Sequence, residues 1–228
     1  MLRYGTAPRW KLLHYASKRA FQAVSISAFV DNCSHVNVSY SSDLMALAMA
    51  TLTIETWAWN GSKFYINETR LTISPLSSAV VWQTTIAAIT GGMTTAHGVT
   101  RLMLAPTTNL TRSAGELEQT TAEPSFLPTS GMILPPTFVD VQLPDPKIVA
   151  SDFCACNISN GDATPASSSG EMATGSGVCF KLNAKALAVW VQVDTAISGR
   201  FSDNGILLVP GETTALSFQP WAGAPPSL

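Results

Sequence analysis

The chain has 228 residues, which is enough for one large domain or two small ones. Apolar residues make up 46% of it, so a core can form, but charged residues are only 12%, about half of the share in a typical soluble domain. A net charge of -2 without a basic patch argues against nucleic acid as a partner, and no apolar run approaches the roughly 18 residues that a membrane span needs.

Residues 9–24 have the apolar spacing of one short helix. Pro8 suits its first turn, where a missing N–H costs little. The apolar positions that recur at helical spacing are Trp10, Leu13, Ala20, Phe21 and Val24. Such a stripe has to be covered, so we expect it to pack on the domain that follows or on a domain outside this chain.

From about residue 25 the pattern changes to that of β-strands. Leu52 and Ile54 alternate with threonines, which predicts a strand with one buried face. Asn60-Gly61 then predicts a hairpin turn, because both residues tolerate positive φ. Further short strands are predicted at 64–66, 71–73 and 79–83.

Two prolines around Asp145 stiffen the chain and predict a domain boundary. Apolar residues alternate again beyond it, at Val178, Phe180, Leu182, Val189, Val191, Val193, Leu216 and Phe218. Residues 112–137 and 157–177 are rich in Ser, Thr, Gly and Pro and are predicted to be long insertions between strands. The predicted fold class is all-β, with a short helix in 1–25 and β-sandwiches in 26–143 and 144–228.

Sequons for N-glycosylation are more frequent than the composition alone predicts. They start at Asn32, Asn37, Asn60, Asn67, Asn109 and Asn157. Glycans would solubilise a surface that is short of charge, although a chain rich in Ser and Thr also carries sequons that stay empty. Glycosylation implies the secretory pathway, yet the first residues contain no apolar signal core. We therefore expect a piece of a longer secreted or lysosomal/vacuolar precursor.

Three of the four cysteines lie close together in the sequence. A disulfide from Cys179 to Cys154 or to Cys156 is expected if their strands are neighbours. The histidines, which are His14, His35 and His97, are scattered, and no second cysteine pair completes a zinc set. We therefore expect no metal site.

The sequence contains no recognisable catalytic motif. It has no G-x-S-x-G turn, no H-E-x-x-H helix and no phosphate-binding glycine loop. Asn67-Glu68 resembles the asparagine and acid/base glutamate of barrel glycosidases, but it also forms a sequon in a hairpin return, which we favour. Four tryptophans offer a sugar platform or, more commonly, core packing: Trp57, Trp59, Trp190 and Trp221. We predict no catalytic residue and no cofactor in this chain.

Three segments resemble family 2 β-mannosidases. PRWKLLHY at 8–15, with Trp10 and Lys11, is similar to the segment that leaves the catalytic barrel of that family. LPDPKI at 143–148 resembles the linker between its last two sandwich domains. GRFSDNGILLVPGE at 199–212, followed by FQPW, is similar to its C-terminal immunoglobulin-like domain. The motif residues there are Arg200, Phe201, Asp203, Asn204, Gly205 and Trp221.

The resemblance implies two immunoglobulin-like sandwiches at the non-catalytic end of a retaining enzyme that removes terminal β-linked mannose. The two catalytic glutamates of the family lie in the barrel, so no residue of this chain inherits their role. The expected partner is that barrel, and an oligosaccharide would be bound only through it. Two alternatives stay open: a stand-alone carbohydrate-binding or adhesion module, and a related enzyme acting on β-glucosamine or β-galactose linkages.

Overall fold

The computed structural model describes residues 10–92, 98–107, 126–134, 141, 143–159, 162–165 and 176–221. The fold is all-β, as predicted, with two short helices and several antiparallel sheets in the described residues. The chain forms two compact units. We call Arg19–Gln142 the continuous unit, and Met1–Lys18 with Leu143–Leu228 the split unit. Among the described residues, no helix is long and apolar enough to cross a membrane.

The secondary-structure elements follow one another in a regular order. The helices are α1 (Leu12–Ala20) and α2 (Ile86–Thr90). The strands up to residue 142 are β1 (Val24–Val30), β2 (His35–Ser42), β3 (Ala48–Ala58), β4 (Lys63–Ile73), β5 (Ser77–Thr85), β6 (Gly98–Pro106) and β7 (Thr129–Ile133). Those after it are β8 (Val149–Ser159), β9 (Asp162–Pro165), β10 (Ser176–Asn183), β11 (Ala188–Val191), β12 (Gly199–Phe201), β13 (Ile206–Leu208) and β14 (Thr214–Pro220).

The continuous unit is a sandwich of a three-stranded sheet, β1-β2-β5, and a four-stranded sheet, β4-β3-β6-β7. Along β3 and β6, alternate residues point between the sheets, as the period of two requires. The predicted inward residues Leu52 and Ile54 are fully buried there, together with Val36, Val38 and Leu102. This apolar layer holds the two sheets together.

The predicted hairpin at Asn60-Gly61 is present. Gly61 has φ 90°, and Asn60 Oδ1 accepts a hydrogen bond from the Ser62 N–H at 3.0 Å. The return strand differs from the prediction, because 64–66 and 71–73 belong to one continuous strand, β4, which pairs with β3 from Lys63 to Ile73. Its middle, residues 67–70, is polar, so apolar alternation alone did not mark it as strand.

The predicted helix is shorter than its sequence pattern, and it buries a different residue. Helix α1 ends at Ala20, and Val24 already begins β1. Leu13 and Phe21, which belong to the predicted apolar stripe, are 73% and 87% exposed, so no described residue covers them, whereas Tyr15, outside the stripe, is only 1% exposed. Tyr15 packs within the split unit, where its hydroxyl has a hydrogen-bond partner that the helical period cannot reveal.

The split unit pairs a five-stranded sheet, β12-β14-β10-β8-β9, with a two-stranded sheet, β11-β13. Its core is small and draws on both sheets. The buried apolar residues are Phe180, Leu182, Ala184, Ala188, Ile206, Leu208, Leu216 and Phe218. The predicted alternation is correct for Phe180, Leu182, Leu216 and Phe218, whereas Val178 is 42% exposed. A disulfide joins β8 to β10 next to this core.

Candidate functional site

The motif at 199–205 connects the two sheets of the split unit. Gly199 lies in β12, which pairs with β14, and a side chain there would overlap the Gln219 carbonyl oxygen and the Phe218 ring. Gly205 has φ 64°, a left-handed conformation that favours glycine, and leads directly into β13. The two glycines therefore allow the chain to leave one sheet and enter the other within a few residues.

The Asn204 side chain holds the loop in place where the chain passes from one sheet to the other. Its side chain is buried, and its Oδ1 accepts hydrogen bonds from the N–H groups of Val193 and Gly205 at 2.8 and 2.9 Å. Its Nδ2 donates to the Val193 carbonyl oxygen at 2.7 Å. The Asn204 N–H in turn donates to Asp203 Oδ1 at 2.8 Å. Asn204 thus binds both backbone groups of Val193, which ties the loop to the segment after β11.

The N-terminal helix binds the same loop. The Tyr15 hydroxyl accepts a hydrogen bond from the Phe201 N–H at 3.0 Å, and Lys18 Nζ donates to the Ser202 carbonyl oxygen at 3.1 Å. Burial raises the pKa of Tyr15 above its ordinary value and outweighs the opposing effect of the Phe201 N–H. These contacts join residues more than 180 positions apart in the sequence.

Arg200 and Trp10 form the outer part of this contact. The Arg200 guanidinium lies 5.4 Å from the Trp10 ring centroid, which is within the range of a cation–π interaction. Arg200 Nε and Nη2 both donate to Gln219 Oε1, at 3.0 and 2.8 Å. The Trp221 N–H donates to the Ser198 carbonyl oxygen at 3.0 Å. The motif residues that the sequence singled out in two distant segments therefore come together here.

A cavity of about 230 Å³ lies between the helix and the loop, within the split unit. Its lining includes Trp10, Lys11, Tyr15, Asp194, Phe201 and Asn204. Glycosidic hydrolysis needs two carboxyl groups on either side of the bond. Asp194 is the single carboxylate among the lining residues, so the cavity cannot perform that reaction with these residues alone.

A second polar cluster lies in the continuous unit and was missed from the sequence. Glu55 is buried and forms ion pairs with Lys63, at 2.7 Å, and with Arg101. Both cations also lie over the Trp57 ring. Burial raises the pKa of the Glu55 carboxyl, but the hydrogen bonds and charges of Lys63 and Arg101 outweigh it and lower the pKa below its ordinary value. A carboxylate held ionised in this way is poorly suited to act as a general acid.

The sequons differ in their surroundings. Asn32 and Asn60 are exposed, and Asn67 is half-buried with its Oδ1 accepting from the Thr69 hydroxyl at 3.0 Å. Asn37 is 6% exposed, and Gln83 Nε2 donates to its Oδ1 at 2.8 Å, so the structure contradicts the prediction of a glycan there. Two predicted acceptors remain: Asn157 lies in β8, and Asn109 lies outside the described residues.

The cysteines and histidines are arranged in a way that the sequence left open. Of the two possible bridges, the structure contains Cys156–Cys179, and Cys154 and Cys33 are exposed free thiols. Cys33 also lies near His35 and Asp31, with one ligand atom of each within 4.8 Å of the others. The expectation of no metal site did not consider this cluster, because it weighed only the later cysteines and treated the histidines as scattered.

Of the two tryptophan pairs considered as sugar platforms, Trp57 and Trp59 are not exposed to a ligand. Trp57 and Trp59 are 7% and 6% exposed, so they pack inside the protein. Trp190 is 55% exposed and has a positive φ of 57°. Core packing, the more common role of aromatic residues at strand spacing, accounts for the first pair.

Comparisons with known proteins agree with this architecture. Residues 164–227 match the family model Ig_mannosidase, which describes an Ig-fold domain. The β-D-mannosidase of Dictyoglomus thermophilum has a similar structure, with a TM-score of 0.63 and 15% identity over 92% of this chain. The exo-chitosanase CsxA of Amycolatopsis orientalis is also similar, with a TM-score of 0.56 and 17% identity over 92% of this chain. A search of curated proteins gives no match.

At these identities the solved structures show the fold alone. This chain spans 21% of the length of the mannosidase chain and 25% of that of the chitosanase chain. In both proteins the matched region is therefore only one part of a longer chain. The resemblance to family 2 β-mannosidases is therefore confirmed, by the family model for the Ig-fold domain at residues 164–227 and by the solved structures for the fold of the chain.

Proposed function

We propose that this chain is the non-catalytic C-terminal part of a β-mannosidase-like glycosidase, which in its full length hydrolyses terminal β-D-mannose residues. The observation that carries the proposal is the contact of α1 with the 199–205 loop, in a chain whose residues 164–227 match the Ig-fold domain model Ig_mannosidase. The segment that resembles the exit from a catalytic barrel is bound to the segment that resembles the terminal domain.

The role that follows is positioning rather than catalysis. Tyr15 and Lys18 on α1 bind the backbone of Phe201 and Ser202, and Arg200 stacks on Trp10. In a full-length enzyme these contacts would hold the end of the barrel on the terminal domain. The partner is that barrel, the oligosaccharide is bound only there, and the exposed sequons Asn32 and Asn60 favour a secreted or lysosomal/vacuolar location.

The first test is made on the native protein. An antibody against this chain is used to deplete a source extract, and β-mannosidase activity is measured with a p-nitrophenyl β-mannoside. We expect the activity to fall with the protein, and the captured polypeptide to yield peptides that precede Met1 of this sequence. A captured polypeptide that begins at Met1 and leaves the activity in the extract contradicts the proposal. Glycan binding by such a polypeptide would instead indicate a stand-alone carbohydrate-binding module.

Two further tests address the sugar specificity of the full-length enzyme and the contacts of Arg200. A p-nitrophenyl β-glucosaminide is hydrolysed instead of the mannoside if the full-length enzyme shares the specificity of a glucosaminidase, because the barrel determines which sugar is bound.

Arg200→Ala in the full-length enzyme should lower the temperature at which activity is lost, since it removes the Trp10 and Gln219 contacts. Arg70→Ala, at an exposed position of β4, is the matched control. Equal inactivation temperatures for both variants would exclude the positioning role.

A further inference from the structure

We propose that the turn between β1 and β2 is a zinc site formed by the Asp31 carboxylate, the Cys33 thiolate and the His35 imidazole. The three residues are two positions apart along the chain, and one ligand atom of each lies within 4.8 Å of the other two. Carboxylate oxygen, thiolate sulfur and imidazole nitrogen are the three kinds of donor that zinc takes in proteins.

The backbone of the turn brings the three side chains together. The Asp31 N–H donates to the His35 carbonyl oxygen at 2.9 Å, and the Ser34 N–H donates to the Asp31 carbonyl oxygen at 3.1 Å. Ser34 has φ 61°, so a residue other than glycine occupies a left-handed position. Because strands β1 and β2 are paired up to Val30 and Val36, the turn is fixed on both sides.

The two carboxylate oxygens of Asp31 make different contacts. Oδ1 accepts hydrogen bonds from the N–H groups of Cys33 and His35, both at 2.9 Å, and so maintains the turn. Oδ2 lies 3.4 Å from His35 Nδ1. That distance is long for a hydrogen bond. It is close to the roughly 3.3 Å that separates an oxygen and a nitrogen ligand of tetrahedral zinc at about 2.0–2.1 Å each.

The buried side-chain amide of Asn37 contacts two of the three proposed zinc-binding residues. Asn37 hydrogen-bonds the Asp31 carboxyl group, and its Nδ2 lies 3.4 Å from the His35 carbonyl oxygen. Gln83 Nε2 donates to Asn37 Oδ1 at 2.8 Å and so fixes the amide. Metal-binding carboxylates are commonly oriented by such hydrogen bonds.

The types of ligand atom in this cluster also determine which metal ion it prefers. Magnesium and calcium prefer oxygen ligands alone, whereas a thiolate with an imidazole favours zinc. Three protein ligands leave the fourth tetrahedral position for water or for a donor from another molecule. In this proposal, the exposed free thiol of Cys33 beside the His35 imidazole acts as a zinc ligand.

The test is a zinc titration of the full 228-residue chain under inert gas, without reductant so that Cys156–Cys179 stays intact. We expect one zinc per chain, and cobalt in its place should show a thiolate-to-metal absorption band. Cys33→Ser should abolish the band, and Cys33→Ser and His35→Gln should each weaken zinc binding at least about tenfold. Cys154→Ser, at the other exposed free thiol, should change neither. Asn32→Gln, which removes the adjoining sequon, should also leave binding unchanged.

A second readout does not depend on the folding of variants. In the unsubstituted chain, zinc should slow the alkylation of Cys33 by iodoacetamide at least about tenfold and leave that of Cys154 unchanged, as measured on peptides by mass spectrometry. Equal alkylation rates of Cys33 with and without zinc, or zinc binding that survives Cys33→Ser, would overturn the proposal.

Discussion

The two units of the molecule are stabilised in different ways. The continuous unit has a large apolar layer between two sheets, in which Leu52, Ile54, Leu102 and Leu104 are completely buried. Among the described residues, the split unit has a core cluster of eight buried residues, several of them alanine or at the edge of burial. It adds specific connections instead: a disulfide, the Asn204 side chain and the helix–loop contact.

This difference predicts different sensitivities. Stability that comes from buried apolar area is lost when volume is removed from the core. Stability that comes from single hydrogen bonds and a covalent bond is lost when one partner is removed, with little dependence on volume. Substitutions chosen for each mechanism should therefore act on one unit and leave the other unchanged.

The largest effect is expected for Leu102→Ala in the continuous unit. Leu102 is 0% exposed on β6, so the substitution leaves a cavity and should lower the free energy of unfolding by about 2–5 kcal/mol. Urea unfolding, followed by hydrogen exchange of the peptides of each unit, measures the change. Ile66→Ala, at a position 58% exposed on β4, is the control. A loss below about 1 kcal/mol would show that the layer between the sheets is not the main source of stability.

Removal of the disulfide should come next and act on the split unit. The bond joins residues 23 positions apart, and Cys179→Ala should cost about 2–4 kcal/mol. Hydrogen exchange should rise in β10 and stay unchanged in β3. Cys156→Ala should be milder, because Cys154 lies directly opposite Cys179 on the neighbouring strand and can form the bond instead. Peptide mapping that finds no Cys154–Cys179 bond in Cys156→Ala would contradict this expectation.

Asn204→Ala should destabilise the split unit by about 1–3 kcal/mol, because it leaves both backbone groups of Val193 without their partner. Asn183→Ala, which removes only an acceptor for the Thr213 hydroxyl near the surface, is the matched control. Thermal unfolding of the two variants compares them directly. If they unfold at the same temperature, the buried Asn204 amide contributes no more to stability than the Asn183 amide, whose hydrogen bond lies near the surface.

The smallest effect is expected for the loss of stability of the continuous unit at low pH. Because the folded pKa of Glu55 is lowered, its stabilising contribution is complete above the ordinary value of 4.5 and is lost as pH falls through the folded pKa. Urea midpoints of the continuous unit, measured from about pH 6 down to about pH 3, should therefore fall less steeply for Glu55→Gln than for the unsubstituted chain. Glu68→Gln, at an exposed position of β4, should keep the original slope. Identical slopes for all three proteins would show that the ion pairs do not favour the ionised carboxyl.

The strands with one apolar face could be predicted from the sequence. Leu52 and Ile54, Phe180 and Leu182, and Leu216 and Phe218 are buried as their alternation indicates. Strands β7 and β9 lie in the segments at 112–137 and 157–177 that were predicted to be insertions. Their sequences, TSGMI and DATP, lack alternation, so pairing with neighbouring strands defines them rather than their own pattern.

The candidate sites depend on contacts that no local pattern contains. Glu55 and Arg101 are 46 positions apart, and the register of β3 against β6 places them directly opposite each other. Tyr15 was missed because its partner, Phe201, is 186 positions away. The D-x-C-x-H spacing of Asp31, Cys33 and His35 is the one local signal that was present in the sequence and not used.

The division of the split unit over two stretches of chain affects the order of events during synthesis. Residues 19–142 are complete before any of β8 to β14 has been made. Since domains fold as units, and earlier ones first while the chain is translated, the middle of this sequence reaches its native state ahead of both ends. Tyr15 is synthesised before the continuous unit but is bound only after it, because its partner Phe201 is translated later than all of that unit.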